Sequence, residues 1–187
     1  MNKDKRDRVC PVERAGMLEL GPRKLVHNPY KMLSPYIKAG MTALDFGCGP
    51  GFFSIEIAGM VGESGKVIAV DLQEGMLEKV RAKISDNAVL WKIIKLHQCQ
   101  KDRLNLAEKI DFALLFYVLH EVPDQQELLR QIRTLLKPGG RVFIAEPRFF
   151  VPWRDFNESL ESARKAGFEV IQEPKIFLSR AVVLKSV

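Results

Sequence analysis

Met41-Thr42-Ala43-Leu44-Asp45-Phe46-Gly47-Cys48-Gly49-Pro50-Gly51 decides how the rest of the chain is read. A short apolar run ends in an acid and passes into three glycines at alternate positions, and Phe52, Phe53, Ile55 and Ile57 follow at helical spacing. Glycines at such spacing leave no Cβ to block a ligand and allow backbone angles that other residues resist. A helix opening directly after them turns its free N–H groups and positive dipole end toward whatever fills the loop. Downstream, Lys66-Val67-Ile68-Ala69-Val70 reads as a second strand closed by Asp71. Strand, glycine loop, helix, strand, acid is the pattern of a nucleoside-cofactor site in an open α/β sheet.

The loop spacing narrows the ligand. A pyrophosphate-binding fingerprint is G-x-G-x-x-G, whereas this chain has G-x-G-x-G with Pro50 inside it and Asp45 just ahead. A fixed carboxylate there suits a cationic ligand better than a doubly anionic one. On these residues the chain resembles the class I S-adenosylmethionine-dependent methyltransferases, whose first motif is an acid followed by G-x-G-x-G. The likeness continues through Asp71, through Phe116 to Val122 and through Leu136-Lys137-Pro138-Gly139-Gly140, and spans roughly residues 38 to 185.

The resemblance implies S-adenosylmethionine as cofactor. Gly47, Cys48, Gly49 and Gly51 would cradle it, Asp45 would order the loop and the amino group of the methionine part, and Asp71 would accept both ribose hydroxyls. Leu72 and Met76 would pack on adenine or fill the core. The family's Gly-Asp pair after the third strand is replaced by Gln98-Cys99-Gln100-Lys101-Asp102, leaving Asp102 or Gln100 as the partner of the adenine amino group. Phe116 and Tyr117 would lie where the fourth strand opens onto the methyl group. The Asn/Asp-Pro-Pro-Tyr/Phe motif of exocyclic-amine methylation is replaced by Leu115-Phe116-Tyr117-Val118. His120 and Tyr117 are the candidate catalytic residues. An imidazole titrating near neutrality takes a proton from an oxygen or carbon acid; the other reading of His120 is packing against cofactor or cap. Glu146 is expected to pair with a cap residue such as Arg23 or to receive a substrate donor.

Length and composition set the outer bounds. A chain of 187 residues that is 47% hydrophobic and 28% charged suits one globular domain with a substantial core. The expected division is a flexible N-terminal segment and active-site cap over residues 1–37, then the cofactor-binding domain over 38–187. The fold expected from the resemblance is a Rossmann-like, mostly parallel seven-stranded sheet of order 3-2-1-4-5-7-6 with strand 7 antiparallel and helices on both faces. The apolar run Asp111 to Val118 reads as a central strand covered on both faces. Trp91 to His97 is expected as strand 3, Asp155 or Asn157 as the start of the last helix, and Lys175 to Lys185 as the final strand. A short helical turn is expected within Gln98 to Lys109. Asp124 followed by Glu127 forms a capping box for the helix before Leu136.

The net charge is +6, but residues 1 to 24 hold seven basic and four acidic residues, so half of the excess sits in that leading segment. Nucleic acid is therefore not the favoured partner, and a small-molecule acceptor is. The rivals are an RNA or protein methyltransferase using Lys24, Lys31, Lys38 and Arg148 as a basic rim, and a cofactor-binding accessory subunit without catalysis. Cys10, Cys48 and Cys99 stand far apart with no C-x-x-C, and the three histidines are scattered, so neither a disulfide framework nor a metal site is expected. No apolar run approaches a membrane span and the first eight residues are too charged for a signal peptide, so the expectation is a cytoplasmic protein with no membrane partner.

Overall fold

The computed structural model describes residues 27–187. A short helix α1 (Pro29–Leu33) precedes β1 (Thr42–Phe46), α2 (Phe52–Val61), β2 (Lys66–Asp71), α3 (Glu74–Ile84), α4 (Ala88–Ile93) and β3 (Ile94–Gln98). There follow β4 (Ile110–Phe116), α5 (Gln125–Leu135), β5 (Leu136–Pro147), α6 (Trp153–Lys165), β6 (Phe168–Gln172) and β7 (Ser179–Ser186). The strands form one sheet of order β3-β2-β1-β4-β5-β7-β6, in which β7 runs antiparallel to β5 and β6. This is the expected seven-stranded order. Parallel crossovers are right-handed, which brings the loops after β1, β2, β4 and β5 to one edge.

The central strands are apolar throughout because helices cover both faces. Along β4, every residue but Asp111 is buried. One face packs Leu44, Ile68, Leu115 and Ile144 against Leu129 and Ile132 of α5 and Phe156 of α6. The other packs Ala43, Val67, Leu114 and Phe143 against Ile57 of α2 and Val80 of α3. Alternation along β4, Leu114 to one face and Leu115 to the other, is the two-residue period of a strand.

Local chemistry sets the helix ends. Asn28 accepts the Lys31 N–H at 3.0 Å and opens α1, with Pro29 at its first position. Asp124 accepts the Glu127 N–H at 2.9 Å, the first half of a capping box at the start of α5. Helix α3 buries Met76, Leu77, Val80 and Ile84, a stripe at spacings of one, three and four.

Four expectations need correction. Trp91 to Ile93 are helical, not part of strand 3, because Asn87 caps the N–H groups of Val89 and Leu90 and nucleates α4 directly before β3. The last helix begins at Trp153 after Pro152, whose carbonyl accepts the Phe156 N–H at 3.1 Å, so Asp155 lies inside the first turn. Strand β7 begins at Ser179 rather than Lys175, since Leu178 turns to φ +57° and its carbonyl leaves the ladder to accept the Arg148 N–H at 3.0 Å. Residues 99–109 hold no helical turn; the Gln100 N–H closes instead on the Arg103 carbonyl.

Candidate active site

The loop after β1 is held from three sides. The N–H groups of Gly47 and Cys48 both donate to the Val70 carbonyl, at 2.8 and 3.0 Å, which ties the loop to the end of β2. The Lys83 ammonium of α3 donates to the Pro50 carbonyl at 2.6 Å. The Asp45 carboxylate, nearly fully buried, accepts the Ser54 hydroxyl at 2.6 Å and so fastens the first turn of α2 to the end of β1. Gly51, at φ +86°, is the N-cap residue and supplies no side-chain cap.

The first glycine of the loop has a steric reason as well as a conformational one. Gly47 has φ +69°, and a Cβ there would stand 2.4 Å from Val118 Cγ2. Bare backbone lets the β1 loop and the segment after β4 close on each other.

Asp71 joins the loop to the next helix. One carboxylate oxygen accepts the Gly49 N–H at 2.9 Å and the other accepts the Gln73 N–H at 2.9 Å. The two oxygens of a carboxylate offer about four lone-pair directions, so Asp71 retains capacity for a further donor. Burial pushes the Asp71 carboxyl above its usual range, and the backbone N–H groups of Gln73, Gly49 and Leu72 pull it only partly back. Burial also lifts the Cys48 thiol well above the thiol range, reinforced by the Asp45 and Asp71 carboxylates. For Cys99, burial and then Asp71 push the thiol up to about 11. Cys48, buried in the glycine loop, therefore has little thiolate character and packs as a small apolar group.

The second half of the site lies across the sheet. Phe116, buried at the end of β4, sits with its ring 4.4 Å from Phe53 and 4.2 Å from Tyr117, and the edge of His27 meets it at 5.3 Å. Tyr117 is held at φ +61°, uncommon for an aromatic residue, with its N–H on the Ala145 carbonyl at 2.8 Å. Its hydroxyl stands 2.5 Å from Ser179 Oγ and 3.1 Å from His27 Nε2. One proton assignment satisfies the cluster. The Ser179 hydroxyl donates to the Phe177 carbonyl, the Tyr117 hydroxyl donates to Ser179, and a protonated His27 Nε2 faces both the Tyr117 oxygen and the Phe177 carbonyl. Tyr117 thus joins α1's approach, β4 and the start of β7.

His120 lies in the short 3-10 turn Leu119–Glu121 after β4. Its Nδ1 is 2.5 Å from Glu146 Oε2, and its backbone N–H donates to Glu146 Oε1 at 3.2 Å. Glu146 is fully buried at the end of β5, while the His120 side chain is a quarter exposed. Two contacts to one fixed carboxylate set both ring orientation and backbone position, as in the carboxylate–imidazole pairs that orient catalytic histidines. The sequence reading named both residues but did not pair them; Arg23, the partner it offered for Glu146, lies outside the described residues, as do Cys10 and Lys24. The available signal was position: both stand at the carboxyl ends of neighbouring strands.

The other candidates separate. Met76 is buried in the core, and Leu72 is half-buried against it. Asp102 is largely exposed beside Arg103, and its carbonyl accepts Gln131 Nε2 at 2.8 Å. Gln100 is exposed as well. Among the described residues, no group of three His, Cys, Asp or Glu side chains is arranged to hold a metal ion, and no helix is long and apolar enough to cross a membrane.

This sheet order, with the glycine loop, Asp71 and the aromatic end of β4 along one edge, is that of the class I S-adenosylmethionine-dependent methyltransferases. A family described as "Methyltransferase domain" matches residues 37–175, and the chain belongs to that family. A demethylmenaquinone methyltransferase of Bacillus cereus is 33% identical over 111 residues, which cover 59% of this chain and 46% of that protein. The chain therefore matches about half the length of this curated relative. Among solved structures, a SAM-dependent methyltransferase from Aquifex aeolicus superposes with a TM-score of 0.85 at 24% identity, covering 96% of this chain and all of that one. Aeropyrum pernix fibrillarin, solved with natively bound S-adenosyl-L-methionine, has a TM-score of 0.66 at 14% identity, covering 80% of this chain and 68% of that one. At these identities the solved structures establish the fold alone.

Proposed function

We propose that the protein transfers a methyl group from S-adenosylmethionine to a small-molecule acceptor. One observation carries this reading: the Asp71 carboxylate, buried at the end of β2, is clamped to the Gly49 and Gln73 N–H groups beside a loop that admits no Cβ at Gly47. That arrangement fits S-adenosylmethionine: Asp71 would hold the ribose hydroxyls and Gly47 to Gly51 the methionine part, with Asp45 ordering the loop. When bound, S-adenosylmethionine supplies a methyl group on a sulfonium centre, open to a single in-line displacement.

The chain's own residues then position and, where required, deprotonate. The rings of Phe116, Tyr117 and His27 wall the acceptor side with aromatic surface, which suits an apolar or ring-bearing molecule better than a charged backbone. His120, steadied by Glu146, is the group that takes a proton from an oxygen or carbon acid. Alignment and a preorganised polar surround supply the rest of the rate. Because the Bacillus cereus relative is named for demethylmenaquinone, that compound is the first acceptor to test.

The test supplies the purified protein with S-adenosylmethionine labelled in the methyl group and an extract separated into solvent-soluble, RNA and protein fractions. Label in the solvent-soluble fraction, lost with Asp71→Ala, is the expected result. Label in RNA or protein alone would overturn the small-molecule acceptor, and label in no fraction would favour an accessory subunit without catalysis.

A further inference from the structure

The loops at the acceptor end carry an apolar surface that the methyl-transfer reading does not use. Phe149 is 79% exposed, Phe150 82%, Phe177 64% and Trp153 59%, with Leu178 beside them at 41%. Scattered exposed apolar residues are ordinary, but a cluster of four aromatics marks a contact surface. Nor are the loops carrying it loose. The Arg148 N–H donates to the Leu178 carbonyl at 3.0 Å, and the Arg148 guanidinium donates to the Ser179 carbonyl at 2.9 Å. Arg180 donates to the Val151 carbonyl at 2.7 Å and lies 5.7 Å from the Trp153 ring centre. Two segments distant in sequence are thereby laced into one platform, with its aromatic rings turned outward.

We propose that this platform docks the protein on the surface of an anionic lipid bilayer. Segments 147–155 and 173–180 together hold four cations, Arg148, Arg154, Lys175 and Arg180, against two carboxylates, Asp155 and Glu173. Aromatic rings at the level of the headgroups, flanked by arginine and lysine, are what a membrane interface selects. A nucleic-acid backbone would need a row of available cations. Here the guanidiniums of Arg148 and Arg180 keep their charge but direct donors at protein carbonyls, and Arg154 lies 3.5 Å from Asp155 and 3.7 Å from Glu158. The cations supply a diffuse positive field rather than a row of phosphate-binding forks. Ring insertion therefore dominates, and charge assists.

The platform is continuous with the site. Phe177 turns its ring outward while its carbonyl meets His27 and Ser179, the partners of Tyr117. A bilayer against Phe149, Phe150 and Phe177 would lie beside the acceptor side of the site. This departs from the expectation of no membrane partner, which rested on the lack of an apolar span; a protein that docks on a surface needs none. The proposal stands on the surface itself and does not depend on which acceptor is methylated.

Flotation of the full chain with vesicles tests it, comparing phosphatidylcholine alone with phosphatidylcholine mixed with phosphatidylglycerol. A Trp91→Phe background leaves Trp153 as the sole tryptophan, read by quenching with brominated acyl chains. Expected are flotation with the anionic vesicles, quenching of Trp153, and partition at least about tenfold weaker in Phe149→Ser/Phe150→Ser, whose rings are already in water so that folding by circular dichroism is unchanged. Phe177→Ser should weaken partition in the same direction. No flotation of the wild type would overturn the proposal, as would flotation undiminished in the double variant or unaccompanied by Trp153 quenching. Binding of single-stranded RNA, or self-association in sedimentation, that replaces vesicle binding and is lost in the double variant would reassign the platform and equally overturn it.

Discussion

The two halves of the site are built by opposite means. The half around Gly47 to Gly51 and Asp71 is made almost wholly of backbone. Its contacts run between a loop and the ends of adjacent strands, and most of its side chains bind main chain. Asp71 holds the Gly49 and Gln73 N–H groups and Lys83 the Pro50 carbonyl, while Asp45 accepts the Ser54 hydroxyl. The half around Tyr117 and His120 is made of side chains gathered from afar: Tyr117 meets Ser179 and His27, and His120 meets Glu146. On the proposed reading, the backbone-built half would hold the cofactor common to the class and the side-chain-built half would set the acceptor. The lesson is a division of labour, and it predicts that the halves respond separately to mutation.

Gly47→Val should show the largest effect. Its Cβ would meet Val118 at 2.4 Å and its backbone would be held at φ +69°. Strain and overpacking together should cost about 2–5 kcal/mol of stability, seen as a lowered Tm, with loss of S-adenosylmethionine binding. A companion Val118→Ala should recover part of the stability, because it removes the 2.4 Å contact with Cγ2, while Val118 Cβ still stands 2.8 Å away and the backbone strain stays.

Next comes Glu146→Ala, which strips an acceptor from both His120 Nδ1 and the His120 N–H. It should lower stability by about 2–4 kcal/mol, while cofactor affinity measured on the folded protein stays within about twofold, the agreement expected of independent sites. A matching collapse of cofactor affinity would break the separation of the halves.

Cofactor affinity should also depend on acidity. Accepting hydroxyl donors requires ionised Asp71, and its carboxyl is raised by burial. Affinity should therefore fall as pH drops through that raised value, at a higher pH than an exposed aspartate would give. For the fold alone the sign reverses: with the folded value above the unfolded one, ionisation of Asp71 opposes stability above the folded value and ceases to do so below the unfolded one. Calorimetry across the acid range, compared with Asp71→Asn, separates the two effects.

The smallest effect concerns thiols. With Cys99 pushed up to about 11 and Cys48 well above the thiol range, both should react with an alkylating reagent at neutral pH far more slowly than free cysteine. A Cys10→Ser background confines the measurement to them, and bound cofactor should slow Cys48 further.

What could be read in the chain follows the same division. The cradle was legible because Gly47, Gly49 and Gly51 must be adjacent in sequence to make one loop, and the sheet order followed from the resemblance that loop carries. Buried stripes such as Met76, Leu77, Val80 and Ile84 repeat with the helix and could be counted. The pairing of His120 with Glu146 was not legible, because it depends on the register of β4 against β5 rather than on spacing along the chain. Nor was the role of Leu178, whose positive φ holds the start of β7 back to Ser179: leucine carries no signal for that conformation. The α4 helix was missed because Asn87, its cap, precedes a β-prone run of Val89, Leu90, Trp91 and Ile93, and capping won over propensity. The platform of Phe149, Phe150, Trp153 and Phe177 reads in sequence like ordinary core material. Only the fold turns it outward.

Calorimetric titration of the wild type and Asp71→Ala with S-adenosylmethionine tests the central claim most directly. Saturable binding by the wild type, weakened roughly a hundredfold in the variant through loss of charge-assisted hydrogen bonds, is the result predicted. Absence of saturable binding by the wild type, or equal affinity in both proteins, would contradict the assignment of this cradle to the nucleoside of that cofactor.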